Sequence, residues 1–267
     1  MRLLRSAAAL LVLAGCSPEQ GERKAAEPDQ VTFDGAVVSN AAAQAKHGER
    51  LTWVLGCRGC HGKNLQGHRF YERYASNLTR ELPNYSKAEI ERVIRTGVPR
   101  DGRELWGMPS DIFQHLSGAD MTALIAELRA LHPAGKRTQP PLPWTKDGRD
   151  EIAKGNLKPA AVFVRERKTQ TPVDLEPSLS RGRYITMVTC AECHGPQLKG
   201  VAKFTPDLIV AGGYTREQFE TLITTGVPVG SRKLGLMGEV ARERFVHFTP
   251  HERDALYAYL RARAERE

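Results

Sequence analysis

The sequence is poor in cysteine, in aromatic residues and in long apolar runs. Only five of its 267 residues are cysteine and 7% are aromatic. A fold stapled by disulfides would need dispersed cysteines in a shorter chain, so that class is excluded. No run beyond the N-terminus approaches the roughly 20 apolar residues of a spanning helix. Alternating runs long enough for a sheet are also missing, which predicts an all-α fold.

The N-terminus has the pattern of a secretory signal peptide over residues 1–15. Arg2 and Arg5 precede the short apolar run of residues 7–14, which is too short to cross a bilayer. Residues 13–16, Leu-Ala-Gly-Cys, resemble the bacterial lipobox, in which the peptidase cuts before the cysteine and Cys16 becomes lipidated. The alternative is an ordinary cleaved signal, which would leave Cys16 as a free thiol in an oxidising compartment.

A lipidated Cys16 would tether the mature protein to a membrane on the periplasmic side of the bacterial cell envelope. By analogy Ser17 favours the outer membrane, with the inner membrane as the alternative. Loss of the two signal-peptide arginines leaves 37 basic against 31 acidic residues, so the net charge falls from +8 to +6. The basic residues are not bunched, and an exported protein does not meet nucleic acid, so no nucleic-acid partner is predicted.

An internal repeat defines the organisation of the rest of the chain. Residues 61–67 match residues 194–200 at an offset of 133, and residues 85–99 match residues 214–228 at an offset of 129. These matches predict two units of one kind, at residues 41–132 and 179–267. Residues 16–40 lack apolar periodicity and predict a flexible tether. Residues 133–178 hold seven of the sixteen prolines and predict an extended, semi-rigid linker that drapes over one or both units, with Trp144 and residues 162–164 as anchors.

Each unit is predicted to contain three main helices. The first runs over about residues 41–56 or 180–188, and the second begins at a capping box and ends at glycine. The boxes are Ser86 with Glu89 and Thr215 with Gln218, and the stops are Gly97 and Gly226. The third helix begins at Ser117 or Thr249, and Met121 lies on its apolar face in the first unit.

Two Cys-x-x-Cys-His motifs carry the chemistry. They join Cys57, Cys60 and His61 in the first unit and Cys190, Cys193 and His194 in the second. This spacing is typical of covalent attachment of a c-type haem, with two thioethers and an axial histidine. A thioredoxin-like dithiol would need a βαβ context, which is absent. Zinc would need four ligands per site, which neither unit offers. We therefore predict two c-type haems.

Methionine sulfur suits the second axial position in an electron carrier. Met1 leaves with the signal, Met187 lies only seven residues before His194, and Met121 has a core position. Met108 and Met237 remain, each in a predicted loop 47 or 43 residues after its histidine. A purely core role for either is the alternative. Six histidines lie outside the motifs and lack counterparts in the other unit, so structural or surface roles are favoured: His47, His68, His115, His132, His247 and His251.

With these motifs, each unit resembles a class I cytochrome c domain, and the whole resembles a di-haem cytochrome c lipoprotein. The resemblance covers about residues 45–132 and 180–263. It rests on the Cys-x-x-Cys-His-Gly motif, the Leu-x-Gly that follows, the Thr-Gly-Val-Pro turn, the methionine loop and a closing helix. It implies that the first and last helices of each unit cross near Gly48 and Gly182. Domains of this family also occur as cytochrome subunits of membrane-associated dehydrogenases, so the resemblance implies that this chain is similar to such subunits.

The predicted function is one-electron transfer between a respiratory or dehydrogenase donor and an acceptor, without catalysis of its own. Redox proteins are the expected partners, among them a dehydrogenase subunit or a terminal oxidase. One alternative is a cytochrome subunit within a membrane-associated dehydrogenase complex. A di-haem peroxidase-type enzyme is less favoured, because it needs one iron with a releasable position. A thiosulfate-oxidising enzyme would use a distal cysteine, and none is left once Cys16 is lipidated.

Overall fold

The computed structural model describes residues 31–37, 40–70, 73–230 and 232–266. The predicted signal peptide, Cys16 and most of the predicted tether lie outside these residues. The described chain is mostly helical, as the sequence predicts. Within it, no helix combines the length and the apolar character needed to cross a membrane.

The first unit is built from six helices and a hairpin. Its two long helices, α1 and α6, pack against each other, and the shorter elements surround the space beside them. The elements are α1 (Ala41–Val54), α2 (Cys57–Cys60), β1 (Gln66–Phe70), β2 (Arg73–Asn77), α3 (Leu78–Glu81), α4 (Lys87–Thr96), α5 (Ser110–Phe113) and α6 (Gly118–Ala130).

The second unit follows the same plan with α9 and α13 as its crossing pair. A single turn of π-helix (Thr186–Cys190) joins α9 to the second motif, and 3₁₀ turns precede α11 (Leu208–Gly213) and α13 (Phe245–His247). After the linker helices α7 and α8, its helices are α9 (Ser180–Ile185), α10 (Ala191–His194), α11 (Arg216–Thr225), α12 (Leu236–Glu243) and α13 (Pro250–Ala264).

The helix crossings lie at the glycines that the resemblance indicated. A Cβ atom on Gly48 would lie 2.1 Å from the carbonyl oxygen of Ala123 on α6. A Cβ atom on Gly182 would lie 2.1 Å from the carbonyl oxygen of Ala255 on α13. Real atoms do not approach so closely, so each crossing requires glycine.

The predicted capping boxes and glycine stops are confirmed, whereas the first helices, predicted over about 41–56 and 180–188, end at Val54 and Ile185. Both capping boxes of the second helices form, and Thr249 forms a third one with Glu252. Gly97 and Gly226 end α4 and α11 in the left-handed conformation. These local signals fix the directions of the helices that surround each motif.

The two units share one core, and the segment before α1 joins them. Phe33 is only 1% exposed; in the second unit its ring stacks on Phe248 and meets Tyr184 at a tilted angle. Its backbone N–H donates to Asp120 of the first unit, 3.1 Å away. The flexible tether predicted for residues 16–40 therefore ends too late, because residues 31–37 pack into the fold.

The linker differs from the prediction of an extended segment. It contains α7 (Lys146–Ala153) and α8 (Ala160–Glu166), which lie between its proline clusters. Thr145 caps α7 through its side chain. The predicted draping is confirmed on the first unit, since α8 packs on α4 and α5. The predicted anchor Trp144 meets Trp106 edge-on with ring centroids 5.1 Å apart.

One further difference is a short sheet in the first unit. Strands β1 and β2 pair antiparallel, with His68 opposite Ala75. The second unit replaces this hairpin with a tight turn in which Val201 pairs with Thr205. The hairpin is too short for alternation to be visible in the sequence, and it does not change the helical class of the fold.

Candidate functional site

The first motif lies on the wall of a cavity of about 510 Å³. Cys57 and Cys60 reach it from α2, His61 from the residue that follows, and Met108 from the loop before α5. Apolar side chains from the surrounding helices form much of the rest of the lining, including Leu82, Ile90, Ile94, Phe113, Leu124 and Leu128. The structure therefore brings together the four residues that the sequence singled out in this unit.

The second motif lines a separate cavity of about 360 Å³. Cys190, Cys193, His194 and Met237 all contribute to its wall. The surrounding apolar lining comes from equivalent elements and includes Leu208, Phe219, Leu222, Ile223, Phe245 and Leu256. The repeat seen in the sequence thus becomes two cavities with the same set of four side chains.

Both histidines are oriented by a backbone carbonyl. Nδ1–H of His61 donates to the carbonyl oxygen of Ser76, and Nδ1–H of His194 donates to that of Pro206, each over 2.8 Å. Burial lowers the pKa of both imidazoles, which favours the neutral ring. With Nδ1 engaged, Nε2 is the atom left to bind a metal, and this carbonyl-anchored arrangement is the usual support for a ligating histidine.

The four described cysteines are free thiols. Burial raises the pKa of Cys57 to about 11, that of Cys60 to about 12 and that of Cys193 to about 11. A reactive dithiol has a lowered pKa instead, so these thiols do not have the character of a thioredoxin-like centre. Among the described residues, no cluster of three or more His, Cys, Asp or Glu side chains is arranged to hold a metal ion.

The methionines occupy three kinds of position. Met108 lies in a loop, as predicted, whereas Met237 is the second residue of α12, so its predicted loop position is wrong. Met121 is buried in the core on α6, and Met187 packs against the core outside both cavities. Of the described methionines, only Met108 and Met237 line the cavities.

The six other histidines lie away from both cavity walls. His47 is buried and bonds Asp120 over 2.8 Å, His247 stacks on Trp53, and His251 bonds Asp34. These contacts are structural, in line with the role that the sequence favoured for these histidines.

Two functional features were not visible in the sequence. The linker closes part of the first cavity with Trp144, Gly148 and Leu157. An ion pair, Arg244 with Glu192, joins the two sites. Its members lie 52 residues apart, and Glu192 occupies a variable position of the second motif while Arg244 belongs to no motif, so no spacing signal could have found the pair.

These cavities fit a covalently attached haem. Paired thiols, one oriented imidazole and one thioether side chain reach each apolar cavity, and this is the donor set of a c-type haem with His and Met axial ligands. The cavity volumes lie in the range of cofactor sites. Cys57, Cys60, His61 and Met108 would hold the group in the first unit, and Cys190, Cys193, His194 and Met237 in the second.

Comparison with known proteins agrees with this fit in the second unit. A family model described as Cytochrome c matches residues 179–264, so the second unit is a cytochrome c domain. Proteins of this family carry covalently bound haem c, a group whose iron accepts and releases one electron.

The similar curated proteins are components of dehydrogenases. The chain is 24% identical over 306 residues to the alcohol dehydrogenase (quinone) cytochrome c subunit of Gluconacetobacter polyoxogenes, covering 98% of this chain and 61% of that protein. It is 22% identical over 255 residues to the fructose dehydrogenase cytochrome subunit of Gluconobacter japonicus, covering 80% and 51%. It is 28% identical over 225 residues to one of the subunits of the nicotinate dehydrogenase of Pseudomonas putida, covering 77% and 18%. The chain spans less than two thirds of each of these relatives.

Proposed function

We propose that the chain is a di-haem c-type cytochrome that serves as the electron-transferring subunit of a membrane-associated dehydrogenase. The observation that carries the proposal is the equivalence of the two cavities. Each gathers two cysteines, a histidine with its Nδ1 engaged and a methionine from equivalent positions of the repeat. Since the second unit is a cytochrome c domain, the same donor set in the first unit supports a second haem there.

Each haem, when bound, supplies an iron that accepts and releases one electron. The protein's part is to hold that group with little rearrangement. The cysteines would fix its position through thioether bonds, while the Ser76 and Pro206 carbonyls hold each imidazole in one orientation. Methionine sulfur and the apolar lining both stabilise the ferrous state, so we expect both reduction potentials to be positive.

The names of the relatives support a dehydrogenase as the electron donor. Two of them are named as cytochrome subunits, and the match to the alcohol dehydrogenase subunit includes nearly all of this chain. We further propose that Cys16 is lipidated and that the mature chain acts on the periplasmic side of the envelope, which matches the predicted lipobox.

Haem counting tests the proposal directly. We expect two haems per chain by pyridine haemochrome assay, and one in C57S/C60S or in C190S/C193S. The ferric protein should show the methionine-to-iron charge-transfer band at the red end of the visible spectrum. One haem in the wild type, or none lost in C57S/C60S, would contradict the di-haem proposal. Rapid carbon monoxide binding to the native ferrous protein would favour a peroxidase-type enzyme instead.

Pull-down from native membranes tests the partner and the anchor. We expect a dehydrogenase subunit with a flavin or quinone cofactor to co-purify with the wild-type chain and to reduce its haems. The variant C16S should appear in the soluble envelope fraction while retaining both haems. A wild-type chain that fractionates as soluble would contradict the lipid anchor without affecting the haem assignment.

A further inference from the structure

An ion pair crosses the boundary between the two cavities. Arg244 Nη1 donates to Glu192 Oε2 over 2.8 Å. Glu192 belongs to the second motif, yet its side chain lines the first cavity. Arg244 lines the second cavity, yet its Nε donates to the carbonyl oxygen of Val54, at the end of α1 in the first unit, over 3.3 Å. Each member therefore reaches toward the site of the other unit.

The guanidinium is enclosed and only partly satisfied. The Arg244 side chain is 11% exposed, and that of Glu192 is 25% exposed. Nη2 of Arg244 is fully buried and has no hydrogen-bond partner. Gly56, directly before the first motif, leaves room for the group, because a Cβ atom there would lie 2.7 Å from Cζ of Arg244. A buried cation with an unused donor is costly unless something else compensates it.

The repeat shows that this pair is not part of the shared plan. Aligning Ser117 with Thr249 places Ile112 opposite Arg244, and aligning the motifs places Gly59 opposite Glu192. The contact between the units occurs twice with the roles exchanged. In the first unit α5 packs on the Thr186–Cys190 turn of the second unit, and the Phe245–His247 turn of the second unit packs on α1 of the first. The counterparts of the pair are therefore Ile112 and Gly59, and neither is charged. A charge added to only one of two equivalent contacts requires a reason other than packing.

We propose that the Arg244–Glu192 pair is a shared electrostatic bridge that sets the reduction potentials of both haem sites. This inference rests on the proposed di-haem function. A positive charge in a low-dielectric site disfavours the extra positive charge of ferric iron, and a negative charge favours it. Because the two members lie between the sites, removing either one changes the field at both.

Potentiometric titration of isosteric variants tests this role. In R244Q the Glu192 charge is uncompensated, so both potentials should fall. In E192Q the Arg244 charge is uncompensated, so both should rise. We expect at least a threefold change in the ferric-to-ferrous ratio of each site, which is about 28 mV at about 59 mV per tenfold. The conservative variant R244K should stay near the wild type.

Arg50 provides a matched control. It also joins the two units, through Glu252 and the carbonyl of His247, but it lines neither cavity. R50Q should lower thermal stability and leave both potentials unchanged. A merely structural role for Arg244 predicts that R244Q and R50Q behave alike.

The inference is overturned if R244Q and E192Q shift the potentials in the same direction, or if only one site responds. Should R244Q fail to fold, E192Q alone decides by the sign of its shift at both sites. Failure of the di-haem proposal is recognised separately, because the haem count of the wild type would then be one.

Discussion

The two cavities carry the same four side chains but differ in what covers them. The first is the larger, at about 510 Å³ against about 360 Å³, and part of its wall comes from the linker and from Glu192 of the second unit. The second receives no linker residue. Its wall includes Phe204, which is 59% exposed, together with exposed Arg232 and Lys233.

This difference in the cavity walls is expected to give the two sites different reduction potentials. Cover by protein excludes water and raises a haem potential, so the first site is expected to hold an electron more tightly. The two cavities are similarly open to solvent, and the rim of the second carries the exposed apolar and basic side chains just named.

The largest effect is expected from adding a side chain at the glycines where the helices cross. G48A and G182A each place a Cβ atom 2.1 Å from a backbone oxygen. We expect each to destabilise its own unit by more than about 4 kcal/mol, with loss of the axial methionine ligation in that unit while its haem stays attached through the thioethers. Differential scanning calorimetry and the red charge-transfer band measure this. Gly118, which has no neighbour within 4 Å of such an atom, provides the control G118A, and its stability should change by less than about 1 kcal/mol. Equal losses from both units after either variant would contradict the separate crossings.

Replacing one axial methionine at a time separates the two sites. In M108H and M237H an imidazole takes the place of the methionine sulfur. The reduction potential of the altered site should then fall by more than about 59 mV, which is a more than tenfold rise in its ferric-to-ferrous ratio at a fixed potential. The red charge-transfer band should halve in each variant. In the double variant the first site should still have the higher potential, because the linker is unchanged. A reversed order there would contradict the role of the cover.

Removing the linker's aromatic anchor tests the cover directly. Trp144 meets Trp106 and lies under the guanidinium of Arg73, whose Cζ is 3.1 Å from the ring centroid. W144A should admit water to the first cavity and lower the potential of that site alone, measured by spectroelectrochemistry. V173A, a linker variant whose exposed side chain lines neither cavity, is the control and should change neither potential. A shift at the second site in W144A would show that the effect is not local.

The smallest expected difference concerns the capping boxes. Ser86 and Thr215 each accept the N3 backbone N–H of the helix that follows. S86A and T215A should each cost about 1 kcal/mol of unfolding free energy, measured by denaturant titration. Because α8 braces α4 while α11 has no such cover, T215A should cost more. The reverse order would indicate that the linker adds no stability to the first unit.

The sequence predicted the elements whose signals are local. The capping boxes of Ser86 and Thr215 and the Met121 core position each depend on residues within a few turns. The same holds for the helix that ends at Gly97. The cavity residues were also predicted, because the haem motif has a fixed spacing and occurs twice.

The remaining features depend on contacts that are distant in sequence. The helices at 146–153 and 160–166 were hidden by flanking prolines, although Thr145 is an ordinary N-cap. Cys57 lies nine residues after Gly48, whereas Cys190 lies eight residues after Gly182. The two units accommodate this difference in length differently: Gly56 is left-handed in the first unit, and a π-turn precedes the motif in the second. The Arg244–Glu192 pair had no local signal at all.

The borrowed wall of the first cavity also bears on how the protein is completed. A chain ending at residue 132 would already contain Cys57, Cys60, His61 and Met108. It would still lack the linker that closes the cavity and the Glu192 that borders it. The first haem site is therefore complete only after the second unit has folded and placed Glu192 at its edge.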